Sequence, residues 1–217
     1  MAHRRAGLFL DLDGTLADSL SVMRIVYDRF LVHFDRVGSD SEFDSLNGPP
    51  LSAVIAELAR VHGLSPPAGQ MLTLYEGMVN DAYRNVAPCH GAIALLRVAR
   101  QGGIRVGIVT SNSASLAWAW LRRVNLSELV DVVIGGDDVR RGKPDPEPYL
   151  VALERTGCNQ SASIAVEDSC AGAQSAVAAG IPTFLLAGTN VEAPPTVVVV
   201  DNLESVAKII EDRTSLC

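Results

Sequence analysis

This chain of 217 residues lacks the long apolar runs and the paired cysteines that mark two common classes of protein. No apolar run approaches the ~20 residues that a membrane-spanning helix needs, so we expect a cytoplasmic protein that is not bound to a membrane. The four cysteines lie far apart and form no C-x-x-C pair. They therefore predict free thiols rather than a disulfide framework.

Positive charge is also scarce, because 18 basic residues stand against 25 acidic ones and leave a net charge of −7. The basic residues form no cluster of the kind that binds nucleic acid, so we exclude nucleic acid as a partner. An acidic protein repels anions at a distance, and any bound phosphate must therefore be held by local groups. The charge and the ordinary composition are compatible with a monomer or a weak homodimer.

Short apolar segments rich in β-branched residues alternate with helical patterns along most of the chain, which is typical of an α/β fold with a mostly parallel sheet. Strands are predicted at 7–11, 104–110, 131–135, 163–167, 181–186 and 196–200. Helices are predicted near 90–101, 113–123, 145–156, 169–179 and 203–212. Residues 18–86 contain helical patterns but no convincing strand. We therefore predict a helical insertion at 18–86 within a core formed by residues 1–17 and 87–217.

Two acids spaced by one residue, Asp11 and Asp13, follow the first predicted strand. Ligand sites in parallel sheets lie at the carboxyl ends of the strands. Two carboxylates at such an edge repel each other unless a cation neutralises them, and Mg²⁺ prefers hard oxygen ligands. Asp11 could then act as a nucleophile and Asp13 as a general acid and base. The alternative is a polar strand end followed by an ordinary turn at Gly14.

Thr110, Ser111 and Asn112 follow the second predicted strand and precede a helix. A hydroxyl beside the N–H groups of a helix N-terminus is suited to bind a phosphoryl oxygen. Plain capping of the helix by Ser111, Asn112 or Ser113 explains the same residues equally well.

Two further segments carry charge at the predicted ligand edge. Lys143, one of only two lysines, lies in a Gly/Pro-rich loop and could neutralise a carboxylate and a phosphate. Glu167 and Asp168 end the fourth predicted strand and could complete a metal site. The alternatives are a solvated loop charge for Lys143 and capping of the next helix by Asp168 or Ser169.

In order and spacing, four segments resemble the motifs of the haloacid dehalogenase superfamily: Asp11-Leu12-Asp13-Gly14-Thr15-Leu16, Thr110, Lys143 and Glu167-Asp168. The resemblance covers nearly the whole chain, and it is to the subfamily of phosphoglycolate phosphatase and β-phosphoglucomutase. It implies a Rossmann-like core with an inserted α-helical cap. It also implies Mg²⁺-dependent hydrolysis of a small phosphorylated metabolite through an aspartyl-phosphate intermediate.

The same resemblance implies a role for each site residue. Mg²⁺ would be bound by the Asp11 carboxylate, the Asp13 main-chain carbonyl and Asp168, with Glu167 as a direct or indirect ligand. The phosphoryl group would be held by Thr110 and Lys143, with help from the backbone of Ser111 and Asn112.

Two other functions stay open at this point. A β-phosphoglucomutase-like activity is suggested by Glu167-Asp168-Ser169, but the mutase cap uses a histidine, an arginine and a lysine. This chain has Met23 and Pro49-Pro50 at the first two places, and residues 18–86 contain no lysine. The missing polar groups favour a phosphatase. The second alternative is a phosphate-binding module without catalysis, and the substrate could be phosphoglycolate, a sugar phosphate or a nucleotide monophosphate.

Overall fold

A computed structural model describes residues 5–46, 48–186 and 195–214 of the chain. Six strands form one sheet in the order β3-β2-β1-β4-β5-β6, and all neighbouring strands are parallel. The strands are β1 Gly7–Leu10, β2 Arg105–Val109, β3 Val132–Ile134, β4 Ile164–Glu167, β5 Thr183–Leu186 and β6 Val198–Val200. The predicted α/β fold class is confirmed, and each predicted strand contains an observed one that is slightly shorter.

The central strand β1 positions the ligand edge of the sheet. All of its residues are buried, as expected for a strand that is covered by helices on both faces. Leu10 of β1 pairs with Ile108 of β2 on one side and with Val166 of β4 on the other. Because these strands are parallel, the residues that follow them emerge together at the carboxyl edge.

Helices cover the sheet and form the segment between β1 and β2. They are α1 Leu20–His33, α2 Asp40–Ser45, α3 Leu51–His62, α4 Ala68–Ala82, α5 Ala92–Gln101, α6 Ala114–Arg123, α7 Glu147–Thr156, α8 Cys170–Ala178 and α9 Leu203–Thr214. Short 3-10 helices lie at Tyr83–Asn85, Ser127–Leu129, Gly136–Asp138 and Gln160–Ala162. In the described part of the chain, no helix is long and apolar enough to cross a membrane.

Helices α1 to α4 lie in residues 18–86, which we call the insertion. Its described residues contain no strand, as the sequence predicts. Helix α4 packs against α1 and α3, and the rings of Phe30 and Tyr75 meet edge to face with centroids 5.1 Å apart. Burial of one large apolar side chain contributes about 1.5–3 kcal/mol, so this small core can hold the helices together. Whether residues 1–17 and 87–217 form a separate domain from the insertion stays a prediction.

The chain enters and leaves the insertion at one place. Ala17 forms an antiparallel bridge with Pro88, and the amide of Asp18 donates a 2.9 Å hydrogen bond to the carbonyl of Ala87. The amide of Cys89 donates to the carbonyl of Leu16, also at 2.9 Å. The two connecting segments are therefore paired with each other beside the end of β1.

The described cysteines are free, as predicted. These are Cys89, Cys158 and Cys170, while Cys217 lies outside the described residues. Burial raises the pKa of Cys89 to about 12, with smaller contributions from nearby carboxylates. A thiol with such a pKa is protonated at neutral pH and is a poor nucleophile.

Asp131 fastens the start of β2 to the residues before β3, and it gives a test of the fold. Its carboxylate accepts hydrogen bonds from the amide of Val106 at 2.8 Å, from Arg105 at 2.5 Å and from Arg100 at 3.0 Å. Burial raises the pKa of Asp131, but these hydrogen bonds outweigh burial and the pKa is lowered. An acid with a lowered pKa stabilises the fold above its unfolded pKa of ~3.9 and loses that contribution in more acidic solution.

We expect Asp131→Asn to lower the free energy of unfolding by about 1–2 kcal/mol at pH 7, because it removes an ionised acceptor. The difference from the unchanged protein should shrink as the pH falls below ~4. Urea unfolding across this pH range measures both effects, and Asp44→Asn at an exposed position of α2 is the control. A loss of stability that is independent of pH would contradict the assignment to the charge of Asp131.

Candidate active site

Asp11 and Lys143 form a buried ion pair at the carboxyl edge of the sheet. Asp11 follows β1, and its amide donates to the carbonyl of Val166 in β4 at 3.0 Å. The Lys143 ammonium donates to Asp11 Oδ1 at 2.6 Å and to the carbonyl of Val109, the last residue of β2, at 2.8 Å. Because Lys143 is only 3% exposed, it is not the solvated loop charge that the sequence left open.

Glu167 contacts the same ammonium from the end of β4. Its Oε1 lies 2.6 Å from Lys143 Nζ and also accepts a hydrogen bond from the Tyr149 hydroxyl. Its other oxygen, Oε2, is buried and has no hydrogen-bond partner among the described residues. The carboxylate lies against Gly172 of α8, where an added Cβ would come within 2.0 Å of Oε2. Position 172 must therefore stay without a side chain for Glu167 to occupy this place.

Three buried acids form a cluster at this edge. Asp11, Glu167 and Asp168 each offer a carboxylate oxygen, and these oxygens lie within 4.8 Å of one another. Asp168 lies against the turn at Gly14, where φ is +78° and an added Cβ would stand 2.2 Å from Asp168 Oδ2. The sequence placed these acids 156 or 157 positions apart from Asp11, and the parallel sheet brings them together.

The cluster carries more negative charge than Lys143 can neutralise. Burial raises the pKa of Asp11 well above its ordinary value; Lys143 lowers it in part, and Glu167, Asp168 and Asp13 raise it further. Burial lowers the pKa of Lys143, but attraction by Asp11 and Glu167 outweighs burial and raises it overall. The ammonium therefore stays charged, while the carboxylates repel one another. A divalent cation is the ordinary remedy for such repulsion.

Asp13 is held by three donors from different parts of the chain. Ser19 Oγ donates to Asp13 Oδ1 at 2.7 Å, the Tyr83 hydroxyl donates to the same oxygen, and Asn112 Nδ2 donates to Oδ2 at 2.7 Å. Ser19 directly precedes α1, but its hydroxyl makes no helix-capping hydrogen bond and donates to Asp13 instead. Ser19 and Tyr83 lie at the two ends of the insertion. The orientation of Asp13 thus depends on where those ends lie.

Thr110 and Ser111 follow β2, as predicted, but their hydrogen bonds differ. Thr110 is buried, and its Oγ1 accepts from the amide of Asn112 at 3.1 Å. Ser111 Oγ donates to the carbonyl of Gly48 in the insertion at 2.5 Å. Helix α6 is capped by Ser113, whose Oγ accepts from the amide of Leu116 at 3.3 Å. Of the three candidates, Ser113 is therefore the residue that caps α6. The binding of phosphate by the backbone of Ser111 and Asn112 stays a prediction.

The structure also distinguishes the two candidates, Asp168 and Ser169, for the residue that caps α8. Ser169 Oγ accepts from the amide of Gly172 at 3.1 Å and caps the helix. Asp168 lies instead in the acidic cluster. The capping explanation therefore applies to Ser169 and not to Asp168.

Tyr149, Ser19 and Tyr83 contact the acids but were not identified from the sequence. Tyr149 is buried at the first turn of α7, where its spacing is that of an ordinary core residue. Ser19 resembles a helix cap, and Tyr83 resembles a residue that packs. Their only sequence signal is a polar tip on a residue expected to be buried, and that signal does not name the partner.

A cavity opens from the acids toward the insertion. The core side is lined by Asp11, Asp13, Ser111, Asn112, Asp168 and Ser169. The opposite side is lined by residues from α1 to α4 and from the loop around Gly48: Leu20, Met23, Phe43, Leu46, Gly48, Pro49, Leu51, Val54 and Tyr75. A small molecule in this cavity would contact the acids at one end and the insertion at the other.

Comparison with known proteins connects this site to a family. The sequence profile of the family described as haloacid dehalogenase-like hydrolase matches residues 8–186. Validoxylamine A 7'-phosphate phosphatase of Streptomyces hygroscopicus subsp. limoneus is 33% identical over 172 residues, which cover 79% of this chain and 80% of that protein. The phosphoglycolate phosphatase of Rhodospirillum rubrum is 26% identical over 188 residues, covering 82% and 78%.

Solved structures share the fold described above. The structure of CbbY from Rhodobacter sphaeroides in complex with phosphate superimposes with a TM-score of 0.82 at 22% identity, and the match covers 94% of this chain and 96% of that one. A β-phosphoglucomutase from Clostridium difficile gives the same TM-score of 0.82 at 16% identity, covering 97% and 99%. At these identities the similarity applies to the fold.

Proposed function

Because the chain belongs to the haloacid dehalogenase-like hydrolase family and hydrolyses phosphate esters like its relatives, we propose that it is a Mg²⁺-dependent phosphatase using Asp11 as nucleophile. The observation that carries this proposal is the buried pair of Asp11 and Lys143 within a group of carboxylates. The proposed substrate is a small phosphate monoester. The reaction passes through an aspartyl-phosphate at Asp11.

In the first step, Asp11 attacks phosphorus and the bond from phosphorus to the ester oxygen breaks. Lys143 holds Asp11 Oδ1, so we assign the attack to Oδ2. Asp13 donates its proton to the departing oxygen, which leaves as a neutral alcohol. Thr110 and Lys143 hold the phosphoryl oxygens, with the backbone of Ser111 and Asn112.

In the second step, Asp13 takes a proton from water and the water oxygen attacks phosphorus. The bond between phosphorus and Asp11 breaks, which releases inorganic phosphate and restores the carboxylate. Ser19, Tyr83 and Asn112 support both steps because they fix the position of the Asp13 carboxylate. One side chain that is protonated in the first step and ionised in the second suits these opposite roles.

The donor set fits a hard divalent cation. Asp11, Asp168 and Glu167 would hold it, and the Asp13 main-chain carbonyl is a further proposed ligand. The fit is supported by the closeness of three carboxylate oxygens and by Glu167 Oε2, which accepts no hydrogen bond within the described part of the chain. Bound Mg²⁺ supplies positive charge that offsets the charge of the carboxylates and of the phosphoryl oxygens.

The proposal favours hydrolysis over the mutase alternative. A mutase has to retain a phosphorylated intermediate while that intermediate reorients in the site, and this requires polar groups on the insertion. Met23 and Pro49 line the cavity at two of the places where the mutase cap has polar residues. The second alternative, a phosphate-binding module without catalysis, is disfavoured because the relatives are named phosphatases, and a measurement of turnover tests it directly.

Turnover of p-nitrophenyl phosphate by the purified protein tests the function. We expect Mg²⁺-dependent release of phosphate, and removal of the metal with EDTA should lower the rate on the order of 100-fold or more. Added Mg²⁺ should restore the rate. Undiminished turnover in chelated protein would refute the metal dependence. Phosphate binding without turnover of any phosphate ester would identify a binding module.

A further inference from the structure

The insertion side of the cavity is almost entirely hydrocarbon. Four residues contribute to this surface: Leu20 and Met23 of α1, Phe43 of α2, and Leu46 directly after α2. Val54 of α3 extends it. Among the described lining residues of the insertion, none carries a charge and only Tyr75 carries a hydroxyl. The part of a substrate that is not phosphate therefore meets an apolar wall.

None of the arginines of the insertion lines the cavity, and four of them contact other groups. Arg24 pairs with Asp28 at 3.0 Å and also with Asp40, and neither acid lines the cavity. Arg60 pairs with Glu57 at 2.5 Å on the surface of α3.

The two remaining arginines with recorded contacts follow the same pattern. Arg84 pairs with Asp81 at 3.2 Å, and Arg36 donates to the carbonyl of His62 at 2.9 Å. None of these arginines lines the cavity. In the described insertion, no cation is placed to receive a second anionic group of a substrate.

These observations set the chemistry of the leaving group. A carboxylate or second phosphate against this wall would lose its water and gain no counter-charge, which strongly disfavours binding. A polyhydroxylated sugar would leave the hydroxyls that face this wall largely unsatisfied, because Tyr75 carries the one polar group among the described lining side chains of the insertion. An aliphatic or aromatic group would instead exchange water contacts for apolar ones and gain from burial.

We propose that the preferred substrate is the phosphate monoester of an uncharged, largely apolar alcohol, and that Met23, Phe43 and Leu46 determine this specificity. The inference rests on the proposed phosphatase function and narrows its substrate class. It disfavours phosphoglycolate, sugar phosphates and nucleotides, all of which the sequence left open. The core residues bind the phosphoryl group of any ester, while the insertion selects the alcohol.

Two pairs of esters of matched shape test the preference. Isobutyl phosphate has the shape of phosphoglycolate with an isopropyl group in place of the carboxylate, and cyclohexylmethyl phosphate replaces fructose 1-phosphate. We expect kcat/KM, measured as phosphate release with Mg²⁺, to favour the apolar member of each pair by at least about tenfold. Equal or reversed ratios with active enzyme would overturn the inference alone. Absence of hydrolysis for every ester would overturn the proposed function and the inference with it.

Charge introduced into the wall should reverse the preference. Met23→Lys places an ammonium beside the leaving group and should shift the kcat/KM ratio toward phosphoglycolate by about tenfold. Val37→Lys is the control, because Val37 is an apolar residue of the insertion that is 87% exposed and does not line the cavity. Leu46→Lys serves as a second variant if thermal unfolding shows that Met23→Lys is not folded. An unchanged ratio in a folded wall variant would overturn the assignment of these residues.

Discussion

Replacement of Asp11 by asparagine is expected to abolish phosphate release, with a loss of kcat on the order of 10⁴-fold or more. The amide has nearly the shape of the carboxylate, but it cannot attack phosphorus and it binds cations poorly. Steady-state release of phosphate from p-nitrophenyl phosphate with Mg²⁺ measures this loss. Turnover within a few-fold of the unchanged protein would exclude Asp11 as the nucleophile.

The same substitution should leave the fold intact, and this separates chemistry from unfolding. The pKa of Asp11 is raised in the folded protein by burial and by the other carboxylates, so its ionised form opposes folding at pH 7. Asp11→Asn should therefore have a melting temperature equal to or above that of the unchanged protein when both are free of metal. Addition of Mg²⁺ should raise the melting temperature of the unchanged protein more than that of the variant.

Replacement of Lys143 by methionine is expected to reduce both catalysis and stability. Lys143 is the cation that contacts Asp11 and Glu167, so its removal leaves two buried carboxylates without their ammonium. Loss of one partner from a buried ion pair typically costs about 3–5 kcal/mol of folding free energy. Loss of a preorganised cation beside the reacting group should lower kcat on the order of 100-fold or more in the fraction that stays folded.

Lys208 provides a matched control, since it is the other lysine of the chain and is exposed on α9. Lys208→Met should change kcat and the free energy of unfolding little, because an exposed charge contributes within ~0.5 kcal/mol. Urea unfolding and single-turnover kinetics of both variants make the comparison. Similar effects at the two lysines would show that Lys143 has no special role.

The sequence predicts the sheet and its ligand edge well, because both depend on local patterns. The apolar residues of strands such as Gly7–Leu10 and Ile164–Glu167 are buried in a parallel sheet, and acids at or just after the carboxyl ends of these strands must meet at one edge. This explains why the convergence of Asp11, Glu167 and Asp168 was expected before the structure. The sequence also singled out Lys143 as one of two lysines, but only the resemblance to a family favoured a site role over a solvated loop charge, because its loop carries no local pattern that fixes its position.

The sequence could not predict contacts that depend on how distant elements pack. Glu167 was expected near a metal, but its hydrogen bond with Tyr149 was not expected. Tyr149 lies on α7, and the periodicity of that helix predicts only that Tyr149 is a core residue. The hydroxyl of Ser111 contacts Gly48, a residue of the insertion, and that pairing follows from the placement of the insertion against the sheet. The apolar wall is also a product of packing, because its residues come from separate helices.

The bridge between Ala17 and Pro88 has a consequence for how such proteins diversify. The chain enters the insertion and returns from it at neighbouring residues, so the order of the strands is independent of what lies between them. A lobe of different length or composition can be accommodated there while Asp11, Lys143 and Asp168 keep their places. New alcohol preferences can thus arise by exchange of one contiguous stretch of gene, with the phosphorus chemistry inherited unchanged.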